Sequence, residues 1–247
     1  MELSLWWPWY SRIRRAFRFS IKKDRESAKL IASIVGERLV GRKVIESLVR
    51  GKDVFVFGAG PSLEEDVKIL SKFKEHAIFM AADGASCALV ANRLDAELVV
   101  TDLDGIRKSI PFKDAIYVVH AHGDNIELLR EVVPELKMVH PTTQAEPIED
   151  VFNYGGFTDG DRACFLAEEM GARRIILAGM DLGKKIGKYS GGSSNKFTIK
   201  KLRYAKKLLS FLSTFSKSEL LNATSGGEEI PGFRRIQLKE LEILLKA

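Results

Sequence analysis

The chain has 247 residues, 45% of them apolar and 29% charged, with a net charge of +6, the balance of a globular protein large enough to bury its own core. No apolar run nears the roughly 18 residues of a membrane span, and two cysteines, Cys87 and Cys164, exclude a disulfide framework and a multi-cysteine zinc site. Residues 1–52 hold 13 Lys/Arg against 5 Asp/Glu, residues 53–183 hold 12 against 23, and residues 184–247 hold 14 against 5. A nucleic-acid-binding domain is itself basic, so an acidic middle between basic flanks argues against nucleic acid as partner. It suits carboxylates that hold a cation, with outlying Lys and Arg that meet an anionic ligand.

Along residues 1–19, Trp6, Trp7 and Trp9 are interrupted by Pro8 and followed by Arg12, Arg14 and Arg15. An apolar h-region and a small-residue cleavage site are both missing, so no signal peptide is expected and the cytoplasm is the expected compartment. Over 20–50, Leu30, Ile34, Leu39, Ile45 and Leu48 recur among charged residues at helical spacing, which predicts an N-terminal helical segment over 1–50. From 51 to 247 the period changes to that of an α/β catalytic domain. Strands are predicted at 53–57, 77–82, 97–101, 115–120, 174–178 and 219–223, with a weaker one at 137–140. Between them lie helices at 63–73, 85–94, after 125 and at 158–171. Short strands that are apolar throughout and alternate with helices predict a doubly wound, mostly parallel, Rossmann-like sheet covered on both faces. Residues 184–196 (KKIGKYSGGSSNK) predict a mobile basic loop, a basic helix at 197–215 follows within the stretch 184–216, and a short helix closes the chain at 238–246.

Ligands of open α/β sheets bind beyond the carboxyl ends of the strands, and here those ends carry Asp83, Asp102, Asp104, His120, His122, Asp124 and Asp181, with Asp159 and Asp161 opening the helix at 158. Turns favour aspartate for capping alone. Asp102 and Asp104 stand out because residues two apart in extended chain project to one side, where two carboxylates repel unless a cation neutralises them; an all-oxygen set favours Mg²⁺ or Mn²⁺. Gly58-Ala59-Gly60-Pro61-Ser62 follows a strand and opens a helix, a place where backbone approaches phosphate, but Leu63 stands where the dinucleotide fingerprint needs its third glycine, and no P-loop sequence occurs. His120-Ala121-His122-Gly123-Asp124-Asn125 has too few imidazoles for a dinuclear zinc site, because the chain has four histidines in all and Asn125 occupies the next ligand position.

Taken in order, GAGPSLE (58–64), AADGA (81–85), TDLDG (101–105), HAHGDN (120–125), FTDGDRA (157–163), AGMDLG (178–183) and NATSGGEEIPGF (222–233) resemble the archaeal 6-hydroxymethyl-7,8-dihydropterin pyrophosphokinase family. AADG and TDLDG are also similar to the acidic motifs of thiamin pyrophosphokinase, where a serine stands in place of Gly105. GAGPSL and the late glycine pair link the chain more distantly to motility-associated glycosyltransferases. The resemblance implies Mg²⁺-dependent transfer of pyrophosphate from ATP to a pterin hydroxymethyl group, with AMP released. It implies Asp83, Asp102 and Asp104 as metal ligands, and the chemistry of the transfer calls for an acid, Asp161 or Asp124, to accept the hydroxymethyl proton. His122, Asp159 and Asp181 are expected at the substrate, and Gly58, Gly60, Ser62, Lys184, Lys185 and Lys196 at the nucleotide. A small-molecule pterin and ATP are the expected partners, with no membrane and with a homo-oligomer left open. Two other readings compete: a metal-dependent glycosyltransferase using the same acids for a sugar nucleotide, and a non-catalytic nucleotide-binding protein.

Overall fold

A computed structural model describes residues 2–107, 109–191 and 196–246. Among them, eight strands form one sheet: β1 (Asp53–Phe57), β2 (Ile78–Ala82), β3 (Leu98–Thr101), β4 (Ile116–Ala121), β5 (Val139–Thr143), β6 (Arg174–Ala178), β7 (Glu219–Asn222) and β8 (Arg234–Arg235). Their order is β5-β4-β3-β2-β1-β6-β7-β8, and every pairing is parallel. The helices are α1 (Leu3–Phe17), α2 (Ile21–Val35), α3 (Arg42–Val49), α4 (Leu63–Leu70), α5 (Ala85–Ala91), α6 (Ile126–Val132), α7 (Asp159–Glu169), α8 (Lys196–Leu212) and α9 (Leu238–Lys246).

The side-chain period of two divides each strand between two cores. Phe55, Phe57, Phe79, Val99, Tyr117 and Val119 pack with α2, α4, α5, α6 and α9. Val54, Val56, Met80, Val100 and Val118 face the other way, against α1, α3, α7 and α8. The expected doubly wound α/β architecture is therefore present. From β1 the chain steps outward strand by strand to β5, then returns to place β6 on the other side of β1. The carboxyl ends of β1 and β6 thus flank a topological switch point, where such sheets open a crevice for ligand.

The N-terminal residues are woven into this body. Trp6, Tyr10, Ile13 and Phe17 form a buried stripe along α1, so the helix runs through Pro8 although a proline inside a helix costs about 3 kcal/mol; burial of the stripe outweighs the lost backbone bond. The Val40 N–H donates to Val139 O at 2.7 Å and so extends the edge of β5. That strand begins later than the sequence implies and contains Pro141, which lacks a backbone donor and is tolerated on an outer strand. The two-residue β8 has no sequence signal. Among the described residues, no helix is long and apolar enough to cross a membrane.

Candidate active site

A cleft of about 320 Å³ opens at the switch point. One wall is backbone-rich and comes from the turn after β1, residues 58–61, with Gly84 and Gly179 beside it; the opposite wall is made by Phe157 and Thr158 and by the first turns of α8. Between them Asp83, Asp102 and Asp159 bring carboxylate oxygens within 4.8 Å of one another.

Each acid is aimed by its own local structure. Asp83 follows β2; Thr101 Oγ1 donates to its Oδ1 at 2.7 Å and the Gly105 N–H to its Oδ2 at 2.7 Å. A Cβ on residue 105 would collide with that carboxylate, which accounts for glycine at this position. The chain does not remain extended after β3: Leu103 turns through φ 78, held by its N–H to Thr101 Oγ1 at 2.7 Å. The two-apart geometry expected of Asp102 and Asp104 is therefore corrected. Asp102 enters the cluster, whereas Asp104 sits exposed at the rim, where it hydrogen-bonds Asp83. Asp159, expected at the substrate, takes the third place in the cluster from the first turn of α7.

The electrostatics fit a divalent cation. Burial pushes the Asp83 carboxyl well up, helped by the Asp104 hydrogen bond and the Asp102 charge. Burial likewise raises Asp159, with the Asp102 and Asp83 charges adding to it. Burial acts on Asp102 in the same direction, but His122, with Nε2 at 3.6 Å from Oδ2, and the Lys201 charge hold it below the usual carboxylate range. An all-carboxylate set in which burial and mutual repulsion disfavour the charged forms of two members matches the hard, oxygen-preferring character of Mg²⁺. A carboxyl whose pKa is raised by folding stabilises the fold only while protonated, so its contribution fades as pH climbs from about 4 through the elevated value. Metal-free protein is therefore expected to lose thermal stability relative to Asp159→Asn as pH rises across that window, and added Mg²⁺ to close the gap. Parallel melting curves for the two proteins would refute this if their separation stayed constant with pH.

The site acids rest on a buried polar layer. Arg162 is nearly fully buried; its Nη1 lies 2.9 Å from His120 Nδ1, its Nε donates to Phe157 O at 3.1 Å, and its charge opposes the acids above it. Burial and the Arg162 charge keep His120 well below the usual histidine range. Asn125 donates to both Asp102 O and His120 O at 2.8 Å, so it clamps the HAHGDN turn instead of leaving a metal position vacant. Asp24, from α2, accepts from Tyr10 OH at 2.7 Å, Gln144 Nε2 at 3.0 Å and the Gly123 N–H at 2.8 Å, tying the N-terminal helices to the same turn.

Several expected roles are corrected. Asp161 is fully buried as the capping-box residue of α7, accepting from the Phe157 and Thr158 N–H groups and from Thr158 Oγ1, so it has no open face for a substrate proton. Asp124 is exposed and lies outside the cleft. Ser62 is not free for phosphate: its N–H and hydroxyl donate to Asp181 Oδ2 at 3.2 and 2.9 Å, and the hydroxyl is also 2.9 Å from Asp66 Oδ2. The Asp181 carboxylate thus fills the anion seat at the start of α4 while itself lining the cleft. Gly58, Gly60 and Lys185 line the cleft, whereas Lys184 and Lys196 are exposed outside it and His122 reaches the site through Asp102. Lys201 and Asp66 carry no sequence signal. Asp66 is buried and joins three loops, accepting from Ser62 Oγ, from the Gly179 N–H at 2.7 Å and from the Ser225 N–H at 2.9 Å. In the expected loop, residues 184–191 fold over the glycine wall, with Lys188 and Tyr189 both bonded to Glu64; residues 192–195 lie outside the described residues.

The profile of the 6-hydroxymethylpterin diphosphokinase MptE-like family matches residues 36–187. The chain belongs to this family. A Pyrococcus furiosus protein named 6-hydroxymethyl-7,8-dihydropterin pyrophosphokinase is 41% identical over 231 residues, covering 90% of this chain and 98% of its own. A Methanocaldococcus jannaschii protein of the same name is 37% identical over 240 residues, covering 90% of this chain and all of its own. Among solved structures, the MAf glycosyltransferase of Magnetospirillum magneticum AMB-1 superposes with a TM-score of 0.54 at 15% identity. That alignment covers 90% of this chain and 39% of the glycosyltransferase, so the likeness is of fold alone. The acidic motifs that carry the family resemblance, AADGA, TDLDG and FTDGDRA, are those that deliver Asp83, Asp102 and Asp159 to one point.

Proposed function

We propose that this chain is a cytoplasmic, Mg²⁺-dependent pyrophosphokinase that transfers the β,γ-pyrophosphoryl group of ATP to the hydroxymethyl oxygen of 6-hydroxymethyl-7,8-dihydropterin and releases AMP. The observation that carries the reading is the convergence of Asp83, Asp102 and Asp159 in the switch-point cleft of a member of this family. Mg²⁺, when bound, supplies charge neutralisation at the triphosphate. Asp83, Asp102 and Asp159 are the residues that would hold it.

Phosphoryl transfer asks the protein for positioning and charge compensation more than for covalent chemistry. The glycine wall lets the triphosphate lie against main chain, because a Cβ at residue 58 or 60 would strike Met180 or Asp181 and narrow the cleft. Lys185, which lines the cleft, would meet the departing α-phosphate, and the charge of Lys201 acts on Asp102 in the acid cluster. With Asp161 engaged as a cap and Asp124 outside, Asp104 at the rim is the carboxylate that takes the hydroxymethyl proton. The glycosyltransferase reading shares the fold and the acids but not the family. The test is a panel: purified protein with ATP and Mg²⁺ is expected to consume nucleotide only when the hydroxymethyl pterin is present, with thiamin inert. Equal consumption with no acceptor, or with thiamin alone, would overturn it.

A further inference from the structure

The two walls of the cleft differ in chemistry. The wall formed by residues 58–61 with Gly84 and Gly179 brings main chain to the cleft, and its side chains there are the small Ala59 and Pro61. The opposite wall presents Phe157 and Phe197. Phe197 is 51% exposed, an unusual state for a phenylalanine that lines a cleft. It is nevertheless braced: Phe17 meets it edge-on with ring centroids 5.4 Å apart at 88°, and Phe17 also packs on Phe157 at 4.8 Å. One turn along α8, Lys201 holds its ammonium 5.9 Å from the Phe197 ring centroid and 6.0 Å from that of Phe157, and its charge acts on Asp102.

We infer that this aromatic wall is the seat of the pterin ring, with Phe197 as the residue that stacks on it and Lys201 beside the ring's carbonyl edge. The inference rests on the pyrophosphokinase reading. In-line displacement sets the attacking oxygen and the leaving group on opposite sides of the β-phosphorus. With the triphosphate along the glycine wall, AMP departs on that side and the hydroxymethyl oxygen must arrive from the other. The acceptor is a flat heterocycle, and of the aromatic residues that line the cleft Phe157 and Phe197 stand together beside Lys201, whereas Tyr189 is bonded to Glu64. Stacking on an aromatic face is sequence-tolerant and strong enough to dominate the binding of a planar ring.

The experiment is steady-state kinetics of the full chain with each substrate varied in turn. Phe197→Ala is expected to raise the KM for the pterin by roughly 5- to 100-fold and to leave the KM for ATP within about twofold, the pattern of a lost acceptor contact and not of a disturbed site. Phe197→Trp should restore the pterin KM, and Phe197→Leu, apolar but not planar, should not. The half-exposed position predicts unchanged melting temperatures, which separates the effect from misfolding. An unchanged pterin KM in Phe197→Ala, a rise in the ATP KM instead, or full rescue by leucine would overturn the assignment. Failure of the wild-type protein to use the pterin at all would instead overturn the functional reading on which it rests.

Discussion

Asp102→Asn and Asp159→Asn are each expected to lower turnover by at least ~10²-fold, the loss associated with removing a group that stabilises charge in the transition state. The two residues come from different motifs, one after β3 and one at the start of α7, yet their oxygens meet with those of Asp83. Each change keeps size and removes one negative charge. In Asp159→Asn this relieves repulsion in the metal-free protein, so melting temperature should hold or rise while activity falls, whereas Asp102→Asn also removes the partner of His122 and should gain no stability. Asp124→Asn provides the contrast. Its side chain is exposed and away from the cleft, so activity near that of the wild type is expected. Near-normal turnover in both cluster variants would remove the cluster from the mechanism.

Asp66→Ala is expected to cost at least ~3 kcal/mol, because bonds to a buried charged group contribute about 1.5–3 kcal/mol each and three donors lose their acceptor together. Those donors are Ser62 Oγ, the Gly179 N–H and the Ser225 N–H. They belong to the loops after β1, β6 and β7, so the loss is both thermodynamic and geometric. For a chain of this size, the melting temperature should fall by about 6–12 °C. Activity should fall further than the unfolded fraction explains, since Gly179 lines the cleft. Asp66→Asn, which retains one acceptor oxygen, should lie between the two. A melting temperature within a degree or so of wild type in Asp66→Ala would show that these loops hold their positions without the carboxylate.

The sheet was legible in the sequence because its strands are apolar on both faces and end in glycine and aspartate. Period and punctuation agreed at β1, β2, β3, β4, β6 and β7. The N-terminal helical segment was legible as well, and its α1 runs through Pro8 because the stripe from Trp6 to Phe17 is buried. The misses have specific causes. At β5, Pro141 reads as a breaker, yet the strand lies on the outer side of the ladder, where the missing donor does no harm. Among the site residues, the motif acids were visible as a set, but how they divide depended on backbone detail. Asp104 was expected beside Asp102 on the assumption of extended chain, and the positive φ of Leu103 breaks that geometry. Asp161 carries the same local signal as Asp159 two residues earlier. Only the capping box shows that one oxygen pair is consumed by the backbone. Lys201 and Phe197 lie on a basic amphipathic helix whose sequence gives no sign of which face meets the cleft.

The central claim, pyrophosphoryl transfer at the acid cluster, fixes the identity of both products. Attack at the β-phosphorus makes AMP the leaving group, whereas attack at the γ-phosphorus, as in an ordinary kinase, makes it ADP. The deciding measurement is phosphorus NMR of a completed reaction containing purified protein, ATP, Mg²⁺ and 6-hydroxymethyl-7,8-dihydropterin. The account predicts AMP and a pterin diphosphate in equal amounts. ADP with a pterin monophosphate, or free pyrophosphate with the pterin unchanged, would contradict it.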